Sequence, residues 1–483
     1  MQRTVEIILA LTVIATTLAF GGVQPFAYSV MEIVIYALVV ALLIAHARRG
    51  RIQLHVPLWT LLFVLLVVIQ LIPLPQGWVS ALDPARVLPA GLSSLQHRLG
   101  HGLTLSIYPH ATLQHLLKFL AYLGAFALAA YVFDSRQKKS LLVKVLIVLG
   151  LFEAAYGIVQ YLADWQKIFT YKKVFYLGMA TGTFINHNHF AGFLELTFPF
   201  MLATAFYYFQ IWQDGHRRGP ARVDPATASA AGIQSLIYAF LLVVCVVAVI
   251  FSRSRGGILS SFFAIIVIGF LSQVKTRRKA WFLGLASFVL IAVIYGIWIG
   301  LNPVLARFEA LRGVGSQSIE SEGRLPTWKA TLEIIRHHPL TGTGLGTFRY
   351  AFPHVQTYMF TYHFTHAHND YLEFLSETGW PGVLLLFVPI LVLLGLMIHS
   401  FVTDARRYRP AVTLGCIGGV VALLCHSVTD FNLHIPANAL VFAVVLGIGY
   451  KTTWVEHRAE RKKIRASDHP AVSGRVARRS RAF

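Results

Sequence analysis

The segment Ser252-Arg253-Ser254-Arg255-Gly256-Gly257 sets two arginines between two long apolar runs. Planar guanidinium groups match phosphate oxygens in a bidentate fork. The glycine pair lets backbone come close to a ligand. The plain alternative is a pair of anchors whose side chains snorkel to lipid headgroups. Against it stands energy, because an arginine deep in a bilayer costs at least ~2.5–3.5 kcal/mol. A pair at this edge therefore calls for a partner.

A second constellation runs from His363 through His366, His368, Asn369, Asp370 and Glu373 to Glu377. His-x-His with nearby acids can bind zinc. The metalloprotease spacing His-Glu-x-x-His is missing, so neither metal nor cofactor is expected. The other chemistry is proton removal from a hydroxyl by an imidazole that is neutral near pH 7. A histidine-rich polar loop with no role is the bland reading. Upstream, Glu322-Gly323-Arg324-Leu325-Pro326-Thr327-Trp328 opens a helix-like stretch running to His337, and Pro339 to Phe348 is a glycine-rich turn. That turn looks like a phosphate cradle, but no Lys-Ser/Thr follows, so it is not a nucleotide P-loop. Tight packing between helices is its plainer role.

Two smaller groups complete the set. Asn186-His187-Asn188-His189-Phe190 opens an apolar run, and Asp430-Phe431-Asn432 with His434 and Asn438 lies between two others. An acid between spans is expensive unless paired, so Asp430 should orient a histidine or meet an arginine. Interfacial anchoring is an equal alternative for both groups.

The elements that position these residues are membrane helices. The 483 residues are 56% hydrophobic and 13% charged, with a mean hydropathy of +0.62. Soluble domains carry roughly 25% charged residues. The apolar runs are continuous rather than alternating, which argues against a barrel. The expected fold is an all-α polytopic membrane protein with about twelve spans, at 5–23, 29–47, 57–74, 113–133, 141–163, 187–210, 233–251, 257–273, 280–300, 379–400, 411–429 and 436–453. The first is read as an uncleaved helix. Basic clusters at 48–51, 136–139, 217–222, 275–279 and 406–409 are separated by even numbers of spans. They share one side, the cytoplasm, with both termini there. The opposite side, a periplasm or cell exterior, carries a large loop at 301–378 with short helices. Such a loop is too long for a plain connector. The chain thus divides into helices over 1–300, this loop, helices over 379–453 and a basic tail over 454–483 read as disordered.

The net charge of +21 does not imply nucleic acid. It sits in short loops and the tail, where anionic membrane lipids are the natural partner. Cys245, Cys416 and Cys425 all fall in apolar runs and form no disulfide framework. Arginine, histidine and acid on one face suit a reaction on a phosphate-linked lipid presented from the bilayer.

These motifs resemble the bacterial O-antigen ligase and polymerase superfamily, membrane glycosyltransferases of the C-type fold. The resemblance rests on Asn-x-Asn-x-Phe-Ala at 186–191, Ser-Arg-Gly-Gly at 254–257, Arg-x-x-x-Trp at 324–328, Pro-x-x-Gly-x-Gly at 339–344, His-x-His-Asn-x-x-Leu at 366–372 and Asp-Phe-Asn at 430–432. They span about half the chain, in the family's order. The resemblance implies a glycan donor on undecaprenyl diphosphate and an acceptor hydroxyl on lipid A–core, for a ligase. For a polymerase, the alternative, the acceptor is another lipid-linked glycan. It implies an inverting, metal-independent reaction in which Arg255 and Arg324 hold the diphosphate and His368 activates the hydroxyl. Arg253, Asn369, His366, Asn188 and Asp430 fall to substrate binding. His363, His366, His187 and His189 receive no role from the resemblance itself. A transporter for the same lipid ranks behind, since transporters favour midplane sites and repeated halves.

Overall fold

The computed structural model describes residues 1–48, 58–86, 102–133, 140–217, 224–276, 319–356, 364–404 and 408–455. The expected span at 280–300, His363 and most of the basic tail lie outside the described residues.

Within them the chain is almost wholly helical. In a bilayer every backbone polar group must be satisfied internally, and a helix does so within one segment. The helices are α1 (Gln2–Leu18), α2 (Pro25–Ala47), α3 (Leu58–Leu71), α4 (Gln76–Leu82), α5 (Pro109–Val132), α6 (Leu141–Leu162), α7 (His187–Arg217), α8 (Pro225–Phe251) and α9 (Arg255–Thr276). They continue with α10 (Ile319–His337), α11 (Phe348–Ala351), α12 (Asp370–Thr403), α13 (Tyr408–His426) and α14 (Pro436–Tyr450). Strands β1 (Lys167–Ile168) and β2 (Tyr171–Lys172) form a small antiparallel hairpin between α6 and α7.

Eight helices, α2, α5, α6, α7, α8, α9, α12 and α13, are long and apolar enough to cross a membrane. Helices α1, α3 and α14 fall on expected spans but have only 17, 14 and 15 residues. Helices α7 and α13 form the centre, with 89% of their apolar windows buried, against 22% for α2 and 28% for α8 and α12. The outer helices turn Ile33, Phe240 and Leu384 outward, as lipid-facing surfaces do.

One boundary differs from expectation in a way that shapes the site. Helix α12 begins at Asp370, nine residues before the expected span. Asn369 caps it, its Oδ1 accepting from the Leu372 amide at 3.0 Å. Asp370 and Glu373 lie in the first turn, where carboxylates suit the positive end of the helix. The helical path breaks at Gly379 (φ 64°, ψ −177°), because a Cβ there would lie 2.5 Å from the Leu340 carbonyl oxygen. The segment 370–378 is therefore a helical piece of its own beneath the glycine-rich turn.

That turn packs against it as a tight connector. Gly342, Gly344 and Gly346 all have positive φ, and a Cβ on Gly342 would lie 2.2 Å from Glu377 backbone. Its amides bond inside the fold: Thr343 N–H to the Ser376 carbonyl at 2.9 Å, Gly344 N–H to that of Glu377 at 2.9 Å, and Phe348 N–H to Glu377 Oε1 at 2.9 Å. It is a structural turn, not an anion cradle.

Candidate active site

The motif residues sit at one end of the bundle, where helices start or stop. Helix α13 ends at His426, and the following loop turns back on it. The amides of Thr429 and Asp430 both donate to the His426 carbonyl, at 2.8 and 3.0 Å. The Asp370 amide donates to the Ser427 carbonyl at 2.9 Å, and Ser427 Oγ donates to Asp370 Oδ2 at 2.7 Å. These bonds lock the start of α12 to the loop that carries Asp430.

Asp430 is fully buried. Its Oδ1 accepts from the Phe431 amide at 2.8 Å and faces two imidazoles, His368 Nδ1 at 3.6 Å and His189 Nε2 at 3.7 Å. Burial pushes this carboxyl up, but the two imidazoles outweigh it and hold Asp430 well below the usual carboxylate range. Of the two partners expected for Asp430, a histidine or an arginine, the structure places histidines beside it.

His368 adopts φ 51°, a left-handed conformation that costs about 1–2 kcal/mol for a residue with a Cβ. Arg253 does the same with φ 58°. Such strain gathers where a chain must aim a side chain. His368 is edge-on to Phe431, with ring centroids 4.9 Å apart, and its side chain keeps 19% exposure. It is thus held on one side and open on the other.

The two motif arginines start from helices packed beside this centre. Arg255 is the first residue of α9. A Cβ on its neighbour Gly256 would lie 2.3 Å from Thr429 Oγ1 and 3.0 Å from His426 Nε2, so this turn presses directly on the Asp430 loop. Arg324 lies on α10, which the Trp328 indole ties to the histidine segment by donating to the Ala367 carbonyl at 3.0 Å. The Arg324 charge is felt at His426. Arg253 lies over the Tyr161 ring, 5.6 Å from its centroid. Asn188 is buried at the start of α7, where its neighbour His187 is bonded through Nδ1 to the Ser252 carbonyl at 2.7 Å. Arg253 Nε, Arg324 Nε, Asn188 Nδ2, His368 Nδ1 and Asp430 Oδ2 are buried without a hydrogen-bond partner among the described residues. Native interiors leave few such atoms.

His366 falls in a neighbouring network. Its ring stacks on Phe431 at 4.1 Å, and its Nδ1 is bonded to Glu373 Oε1 at 2.7 Å. Across Glu373 stands His434, with Nε2 at 3.5 Å from the same oxygen and Nδ1 2.8 Å from Asp370 Oδ1. His366, Glu373 and His434 each offer a donor atom within 4.8 Å of the others, close enough to hold a metal ion. A proton also fits. Burial works against the charge, but Glu373 and Asp370 raise His434 to about 9, making it a cation bridging two carboxylates. Asn369 serves as the cap of α12. His189, unassigned from sequence, faces Asp430.

Sequence reading missed two members entirely. Glu195, buried in α7, accepts from Ser260 Oγ at 2.8 Å and pairs with His426 Nδ1 at 3.2 Å. A carboxylate inside an apolar run is the signal that could have found it.

A cavity of about 580 Å³ opens behind α12. Trp59, Phe63, Phe119, Phe374, Leu433 and Phe442 are among its lining residues. Phe374 also stacks on His434, with ring centroids 4.7 Å apart.

The fold is that of a multi-pass helical membrane protein, with His368, His189 and Asp430 together at one end of the bundle. Residues 240–387 are similar to the family model described as O-antigen ligase. The match contains Arg253, Arg255, Arg324, His366, His368 and Asn369, and stops short of Asp430. No curated protein matches the chain.

Proposed function

We propose that the protein transfers a glycan from undecaprenyl diphosphate to an acceptor hydroxyl, and that it is an O-antigen ligase whose acceptor is lipid A–core. The observation that carries this reading is the seating of His368 against buried Asp430, with the turn that carries Arg255 packed on the same loop.

In this scheme the acceptor O–H gives its proton to His368 as its oxygen attacks the anomeric carbon. The bond from that carbon to the diphosphate oxygen breaks, with inversion. Charge builds on the departing oxygens, and the fixed guanidinium groups of Arg255 and Arg324 stabilise it. Asp430 stabilises the imidazolium that forms. Anchoring the donor by its lipid lowers the entropic cost of alignment, and the apolar cavity behind α12 has room for part of a polyprenyl chain. No metal enters these steps.

The site is assigned to the periplasmic side of the inner membrane, because the basic ends of α2, α7 and α9 at Arg48, Arg217 and Lys275 lie opposite it. In sealed right-side-out vesicles, donor and acceptor added outside should react. Reaction only in inverted vesicles would contradict that assignment.

The acceptor is tested with purified protein and undecaprenyl-diphosphate glycan, with rough lipopolysaccharide in one tube and none in another. Lipopolysaccharide shifted to higher mass supports the ligase. Ladders that grow on the carrier without it support the polymerase, the alternative within the superfamily. A flippase is disfavoured because the polar groups stand at one end of the bundle rather than at its middle.

A further inference from the structure

The Glu195–His426 pair has no part in the steps above. It lies among α7, α9 and α13, with both side chains almost completely buried. Replacing a buried ion pair by apolar residues is often neutral or stabilising, so stability alone gives little reason for one here.

Its geometry gives a better reason. Glu195 engages the Nδ1 side of the imidazole, and Ser260 fixes the carboxylate from the other oxygen. This leaves the Nε2 edge facing away from Glu195. That edge lies against Gly256, where an added Cβ would sit 2.8 Å from Cδ2 and 3.0 Å from Nε2. Gly256 follows Arg255 directly. Arg324 is close enough for its charge to act on His426. The carbonyl of His426 also anchors the Asp430 amide. The Nε2 edge therefore lies against the turn that carries Arg255 and beside the Asp430 loop, with only the missing side chain of Gly256 leaving space there.

We propose that His426 is a third phosphate contact, beside Arg255 and Arg324, and that Glu195 is the positioning residue that turns its Nε2 toward the diphosphate. The proposal rests on the diphosphate donor proposed above. Doubly protonated, the ring donates one N–H to Glu195 and the other to a phosphate oxygen. The pair is neutral overall, so the donor site carries no surplus buried charge before the lipid arrives. A glycine at 256 keeps that edge uncovered.

Binding of undecaprenyl diphosphate and of undecaprenol to the detergent-purified full chain tests it. Wild type, His426→Gln, Glu195→Gln, Gly256→Ala and Arg255→Ala would be compared, each checked for thermal stability. Loss of one charge-assisted hydrogen bond predicts affinity for the diphosphate roughly 10- to 100-fold weaker in His426→Gln. Glu195→Gln and Gly256→Ala should weaken it in the same direction, and they carry the test if His426→Gln does not fold. Undecaprenol binding should be unchanged, whereas a merely structural role would weaken both ligands together. Diphosphate binding that Arg255→Ala abolishes but the other three variants leave intact would overturn this inference and leave the proposed function standing. A wild type that prefers undecaprenol to the diphosphate would overturn the donor reading, and this inference with it.

Discussion

Asp430 faces His368 with Oδ1 at 3.6 Å from Nδ1, close enough to stabilise an imidazolium and leaving Nε2 on the far side of the ring. His189 shares the same carboxylate oxygen. Asp430→Asn keeps the shape but removes the charge. It should lower kcat by about 100-fold or more, the usual scale for impaired general-base catalysis, with KM for the donor little changed. A steady-state comparison with wild type checks this, and an equal rise in KM with kcat intact would contradict it.

Arg255 and Arg324 should not tolerate lysine. A point charge does not reproduce the bidentate fork. Arg255→Lys should therefore lose about 100-fold in kcat/KM, within the range seen when one electrostatic donor is removed. Arg324→Lys should behave alike, whereas Arg253→Lys, whose guanidinium lies over Tyr161, should be milder. Initial rates at low donor concentration measure all three.

His434 sets a pH dependence of stability. Its folded value, about 9, lies above the ordinary value of ~6.5. Its contribution is therefore fully present below about 6.5 and is lost as pH rises through about 9. Thermal unfolding across pH should show wild type several degrees more stable than His434→Gln at pH 6, with the gap closing by pH 10. A gap that stays constant would show that the bridge between Asp370 and Glu373 is not ionic.

The donor atoms of His366, Glu373 and His434 could take a metal, yet none of them is given a place in the transfer step. Treatment with a chelator, followed by its removal, should leave transfer unchanged. Activity lost to the chelator and restored by zinc would make this triad a metal centre and overturn the metal-independent scheme.

The spans were legible because hydropathy alone marks a run that must be buried in lipid, and α2, α5 to α9 and α13 lie where such runs predict them. The motif residues stood out because charge at the end of a span needs a reason. Which helix faces meet was not legible. Glu195 and His426 are 231 residues apart in sequence, and nothing local announces that α7 and α13 pack together. Asp370 and Glu373 read as loop residues until Asn369 is seen to cap a helix and Gly379 to break it. In a membrane bundle apolar residues face both lipid and protein, so periodicity does not separate the two faces as it does in a soluble helix.

The most direct test of the account is transfer by His368→Ala in purified form, with undecaprenyl-diphosphate glycan and rough lipopolysaccharide, alongside donor binding by the same protein. The account predicts that transfer falls by about 100- to 10,000-fold while the variant inserts, folds and binds donor as wild type does. Turnover at the wild-type rate would show that His368 is not the base, and would contradict the assignment of this site.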